Sequence, residues 1–222
     1  MSARRAGPGD AAADARAGEP PDALAEALAD ATVSRLAARL RERPGVEARP
    51  DQPVRHAAVA LVFRRAGGDA LELLFIKRAE FEGDPWSGHV AFPGGRHEPA
   101  DASLEETAIR ETREELALDL ARDGRLLGRL DDLYPRSPTL PPIVVRPYVF
   151  VTRPDVSLEP SHEVAAAFWV PLARLQAADA TVESTIEVRG ASWRVPSFVH
   201  EGHTIWGMTE RILRQLLELL VA

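Results

Sequence analysis

The chain has no cysteine, which excludes disulfide staples and thiol catalysis. It also has no block of Lys and Arg, and its formal net charge is −7. A duplex nucleic acid, itself a dense polyanion, is therefore not an expected partner. A small phosphate compound stays compatible, because metal ions can supply the positive charge. The apolar stretches are short or interrupted, so no membrane span is expected. No apolar h-region stands near the first residues, and the cytoplasm is the expected compartment. No internal repeat is visible. What is present is a 222-residue chain that is 45% hydrophobic, enough for one domain of ordinary size with a substantial core, plus an appendage.

Composition divides the chain. Residues 1–21 are mostly Ala, Gly, Pro, Arg and Asp and read as a disordered tail. Residues 22–50 form a helix and a linker. Leu24, Leu28, Val33, Leu36 and Leu40 recur at mostly helical spacing, and Pro44-Gly45 stops the pattern. This helix packs either on its own domain or on a second copy, so a homodimer stays open. Residues 51–222 are the main domain. Within it, 54–65 and 71–77 read as a hairpin around Gly67-Gly68-Asp69. A loop punctuated by Gly83, Pro85 and Gly88 leads to Phe92-Pro93-Gly94-Gly95. Strands are predicted over 125–133, 142–152 and 165–170, and an outer hairpin over 181–193 around Arg189-Gly190. A last helix opens at Ile205-Trp206, with Ile212, Leu213, Leu216, Leu217 and Leu220 as its apolar stripe. Strands alternating with helices suit an α/β/α sandwich with a mixed central sheet.

The most informative stretch is GGRHEPADASLEETAIRETREELAL, from Gly94 to Leu118. Ser103-Leu104-Glu105-Glu106 fits a capping box, so a helix starts at Ser103 or Leu104. On a helix with Glu111 at zero, Glu114 falls about −60° and Glu115 about +40° round. Three carboxylates share a face, and Ile109, Thr112 and Leu116 occupy a separate one. Like charges at these spacings cost about 0.2–0.5 kcal/mol each, and Arg110 beside Glu114 offsets roughly one such pair. A solvated acidic face accounts for the pattern as composition alone. A hard divalent cation, Mg²⁺ or Mn²⁺, accounts for the clustering as chemistry, since such ions take carboxylate oxygens and bridge to phosphates. The paired glycines in front allow backbone to approach backbone, or a phosphate, closely.

This unit resembles the Nudix box, G-x5-E-x7-R-E-U-x-E-E-x-G-U with U apolar. Arg110-Glu111-Thr112-Arg113-Glu114-Glu115-Leu116-Ala117-Leu118 matches its second half, with Thr112 in an apolar place and Ala117 for the glycine. In the first half Asp101 stands where the pattern has Glu, and the spacing to Arg110 is one residue longer. An Asp-bearing longer loop after FPGG, followed by Thr107-Ala108-Ile109-Arg110-Glu111, is similar to the coenzyme A pyrophosphatase branch of the superfamily. The Ile205-Trp206-Gly207 run resembles the end of the same domains, so the likeness spans roughly 54–221. Asp84 occupies a place where that branch's signature has Arg.

The resemblance implies the Nudix α/β/α fold and metal-dependent hydrolysis of a nucleoside diphosphate joined to another group. Glu111, Glu114 and Glu115 with the Gly95 backbone would hold Mg²⁺ or Mn²⁺. Arg110 would fix helix and loop by pairing with a box carboxylate. Glu114 or Glu163 would be the base. Arg78, His89, Arg136 and Arg146 are the candidates for contacting a small nucleotide substrate. Coenzyme A, cleaved to 3′,5′-ADP and 4′-phosphopantetheine, is the first substrate reading. Broader nucleotide or nucleotide-sugar pyrophosphohydrolysis is the second, favoured by Asp84. A ligand-sensing module without turnover is the third, and the presence of all three box glutamates stands against it.

Overall fold

A computed structural model describes residues 23–67, 70–82, 86–135, 141–188 and 190–221. Residues 1–21, Asp84, Arg136, Arg189 and part of the Gly67-Gly68-Asp69 turn lie outside them.

The central strand is β1 (Arg55–Arg65), whose run of small and apolar residues is buried on both faces. It pairs antiparallel with β2 (Leu71–Arg78) and β4 (Gly94–Arg96), and parallel with β6 (Ile143–Thr152). β3 (Val90–Ala91) and β7 (Val164–Pro171) join β2, and β5 (Gly124–Arg129) joins β6. The result is a mixed sheet of seven strands among the described residues. A separate antiparallel sheet is formed by β8 (Thr181–Val188), β9 (Ala191–His200) and β10 (His203–Trp206).

Helices cover both faces of the large sheet. On one side lie α1 (Ala23–Ala29), α2 (Ala31–Glu42) and α6 (Gly207–Val221), whose Leu36 and Leu213 share a core with Leu61, Phe63, Phe75 and Val149. On the other lie α3 (Leu104–Leu116) and α4 (Leu120–Asp123), where Ala108, Leu116 and Leu120 meet Ala60, Ile76 and Phe150. The short α5 (Leu172–Leu175) follows β7. This is the expected sandwich with its amino-terminal helix.

Three boundaries differ from the sequence expectation. The helix expected over 22–43 is two helices, because the Asp30 carboxylate accepts from the Thr32 and Val33 amides at 2.8 and 3.1 Å and starts a new one. Its apolar stripe is buried in the chain's own core, and Arg39 donates to the Leu219 carbonyl of α6. The appendage thus packs on its own domain. The strand expected to 133 stops at Arg129; only Leu133 returns, bridging to Val145. Ile205 and Trp206 belong to β10, paired with Phe198 and Ser197, rather than to the last helix. Among the described residues no helix is long and apolar enough to cross a membrane.

Candidate metal and substrate site

Helix α3 begins where its cap requires: the Ser103 hydroxyl accepts from the Glu106 amide at 3.1 Å. Its two departures from the box pattern each have a local account. Thr112 is fully buried and donates its hydroxyl to the Ala108 carbonyl at 2.7 Å, so its polar atom is satisfied inside the helix. Ala117 caps the carboxyl end with φ of 56°, the left-handed region that glycine adopts freely. An alanine tolerates it at a cost of about 1 kcal/mol.

Arg110 is the hub of the polar network. It donates to both oxygens of Asp101 at 2.8 and 3.1 Å, to Glu114 at 2.8 Å and to the Arg96 carbonyl at 3.0 Å. Its guanidinium also lies 3.0 Å from Glu111. Asp101 is buried and additionally accepts from the Glu98 amide and the Thr107 hydroxyl. The Arg110 hydrogen bonds hold its carboxyl well below the usual carboxylate range, and the same pairing raises the Arg110 guanidinium. Asp101, in the loop ahead of the helix, is thus tied to Arg110 by two hydrogen bonds.

The other side of the helix meets the glycine turn. Glu115 is buried, and its carboxylate accepts from the Gly94 amide at 2.9 Å. Gly94 has φ of 149°, and a Cβ there would lie 2.3 Å from the Ala58 carbonyl oxygen. A Cβ on Gly95 would lie 2.4 Å from the Glu111 carboxylate. Backbone contact thus requires glycine at 94 for β4 to sit against β1, whereas a Cβ at 95 would push the Glu111 carboxylate aside. Burial pushes the Glu115 carboxyl up to about 8, against the opposing Gly94 amide, and the charges of Glu111 and Glu163 add to the rise. Burial also raises Glu111, with Arg110 opposing. Arg78, at 3.9 Å, is the cation placed beside Glu115.

These residues fit a hard divalent ion. The donors are carboxylate oxygens, and Glu115 is a buried acid short of compensating positive charge, the environment that an ion would relieve. The stripe is not a ready-made cage, however. Among the described residues no three acidic or histidine side chains converge closely enough to enclose an ion. Glu111 and Glu115 face the glycine turn, whereas Glu114 is the exposed member and is turned to Arg110.

The metal-free protein should therefore lose stability as pH rises. An unfolded Glu115 gives up its proton near 4.5 and the folded one near 8, so between those values the folded state binds more protons and each pH unit costs up to about 1.4 kcal/mol. Denaturant melts of metal-free protein at pH 5 to 8 read this directly, and a Glu115→Gln variant should flatten the trend.

The remaining candidates separate. Glu163 is exposed, just before β7, and its charge acts on both Glu111 and Glu115. His89 is the ladder neighbour of Arg78, whose amide donates to the His89 carbonyl at 3.0 Å. Arg146 makes a two-nitrogen pair with buried Asp132 at 2.8 and 2.9 Å and also reaches Glu47 at 3.2 Å, so it ties the linker to β6. Arg136 lies outside the described residues. Sequence reasoning missed Thr107 and His97, which support Asp101; His97 Nδ1 lies 3.0 Å from the Thr107 hydroxyl. Thr107 sits one turn before Glu111 on the same helix, but nothing local marks its hydroxyl as aimed at a loop acid.

Residues 54–187, more than half of the chain, match the NUDIX domain family. The chain is 35% identical over 187 residues to the mitochondrial coenzyme A diphosphatase NUDT8 of Homo sapiens, covering 82% of this chain and 72% of that one. Against the Mus musculus protein of the same name it is 32% identical, covering 85% and 84%. A solved MutT/nudix family protein from Enterococcus faecalis superposes with a TM-score of 0.50 at 14% identity, covering 84% of this chain and 67% of that one, and shows the fold.

Proposed function

The chain belongs to the Nudix family and is a pyrophosphohydrolase, and on that premise we propose that it is a metal-dependent hydrolase of nucleoside diphosphate derivatives, with coenzyme A as first substrate. The products would be 3′,5′-ADP and 4′-phosphopantetheine. The observation that carries the reading is the buried Glu115 carboxylate held on the Gly94 amide with Glu111 beside it. The relatives named coenzyme A diphosphatase support the choice of substrate.

In this proposal Glu111, Glu115 and Glu114, with the Gly95 carbonyl, hold Mg²⁺ or Mn²⁺. The ion supplies charge neutralisation at the diphosphate and lowers the pKa of a bound water. Arg110 holds Glu111 and Glu114 in register with the Asp101 loop. Glu163 or Glu114 takes the proton from the attacking water. Arg78 and His89 line the approach to the diphosphate. Because binding an ion to Glu115 displaces its proton, affinity for the ion should rise with pH and level off above about 8.

The broader nucleotide specificity is the second reading, favoured by Asp84 where the coenzyme A signature has Arg. Cytoplasmic location and a homodimer belong to the same proposal. Purified protein with Mg²⁺ or Mn²⁺ should release 3′,5′-ADP and 4′-phosphopantetheine from coenzyme A, read by mass against ADP-ribose, nucleotide sugars and nucleotides. Intact coenzyme A beside cleaved nucleotides would select the second reading, and cleavage of nothing would leave a sensing module.

A further inference from the structure

Two rings stand at the rim of the site. The His89 imidazole and the Trp206 indole lie 4.6 Å apart, centroid to centroid, tilted by 59°. Both are partly exposed. They come from distant parts of the chain, His89 from the residue before β3 and Trp206 from the end of β10.

Their position follows from the strand register. Lys77 is opposite Val90 and Ile76 opposite Ala91 in the β2–β3 pair, so Arg78 is opposite His89. Directly opposed residues project from the same face, with Cβ atoms about 5 Å apart. Arg78 is also the residue that stands 3.9 Å from Glu115. Glu115, Arg78, His89 and Trp206 thus form a row leading outward from the glycine turn.

Holding α6 to the sheet does not require the indole. That contact is made by buried Ile205, by Thr209, whose hydroxyl donates to the Val90 carbonyl at 3.0 Å, and by the apolar side of the helix. An aromatic side chain left partly open against His89, the ladder neighbour of Arg78, has the chemistry of a stacking surface: flat, polarisable and indifferent to which base lies on it.

We propose that Trp206, backed by His89, is the stacking wall for the nucleobase of the substrate. This rests on the nucleotide reading of the site but not on coenzyme A in particular, since every nucleoside diphosphate carries such a ring. The diphosphate lies toward Glu115 and Arg78, and the base lies one ribose further out, against the indole.

The test is binding of ADP and of inorganic pyrophosphate to the full chain with Mg²⁺, measured by calorimetry. Trp206→Leu keeps an apolar side chain but removes the ring, and Trp206→Phe keeps a smaller ring. Leucine should weaken ADP at least ~10-fold, the scale of losing one base stack. It should leave pyrophosphate unchanged, and phenylalanine should restore most of the ADP affinity. Equal weakening of both ligands, or no change in ADP, overturns the proposal. Turnover is not used as the readout, so failure of the coenzyme A panel is a separate result. Loss of fold in Trp206→Leu, seen as an early thermal transition, is covered by Trp206→Met, for which the same discrimination between ADP and pyrophosphate is expected and whose failure to discriminate also overturns the proposal.

Discussion

Replacing Glu115 with glutamine should lower kcat by at least ~10²-fold at saturating Mg²⁺ while the protein stays folded. Glutamine keeps the volume of the side chain and an oxygen for the Gly94 amide. It removes only the negative charge. Since burial already disfavours that charge in the metal-free protein, the variant should melt no lower than the parent and higher near neutral pH. Activity and stability thus move in opposite directions, which a merely structural Glu115 would not produce. Glu111→Gln should lose turnover on the same scale, because its carboxylate closes over Gly95. Glu114→Gln and Glu163→Gln divide the remaining role: the base is the one whose loss removes the limb of the pH–rate profile set by a carboxylate. Unchanged turnover in both Glu111→Gln and Glu115→Gln would end the metal-site proposal.

Arg110→Ala should cost about 3–5 kcal/mol of stability, the scale for removing one partner of a buried ion pair. Asp101 is 8% exposed and takes two of its hydrogen bonds from Arg110. Without the guanidinium it keeps only the Glu98 amide and the Thr107 hydroxyl. The melting temperature should fall by roughly 10 °C or more. The acid limb carries a second signature. Asp101 is held below the usual carboxylate range when folded, so its contribution is present above the unfolded value near 3.8 and is lost as pH falls toward the folded one. Arg110→Ala should shallow that acid transition. A double variant, Arg110→Ala with Asp101→Asn, should recover part of the loss, because no uncompensated charge is then left inside. Melts of the parent and both variants across pH 2 to 7 check all of this together.

The order of difficulty in reading this chain follows the range of the interactions. The cap of α3 was legible because Ser103 and Glu106 are three residues apart. The hairpin of β8 and β9 was legible because its turn and its alternation are local. The split at Asp30 was not, since an aspartate within an apolar helical pattern is compatible with a solvated position, and only its hydrogen bonds to Thr32 and Val33 make it a start. The carboxylate stripe was half legible. Spacing alone put Glu111, Glu114 and Glu115 on one face, but the Gly94 amide draws Glu115 inward while Arg110 holds Glu114 at the surface. Arg146, a candidate anion contact within the strand expected over 142–152, pairs with Asp132, which lies past the end of β5 where the sequence pattern extends the strand to 133. The β4 position of the glycines depends on a register with Ala57, Ala58 and Val59 that no short-range signal encodes.

The helices behind the sheet set a limit on how the chain can be divided. One face is roofed by α1 and α2 at one end of the sequence and by α6 at the other, all beyond the segment 54–187 that matches the domain family. Excising that segment would keep every acidic residue of the stripe yet strip the cover from Leu61, Phe63, Phe75 and Val149. At about 25 cal/mol for each Å² of apolar surface returned to water, the excised piece would favour clumping over folding. The part of this chain that does chemistry and the part that must be inherited together are therefore not the same length.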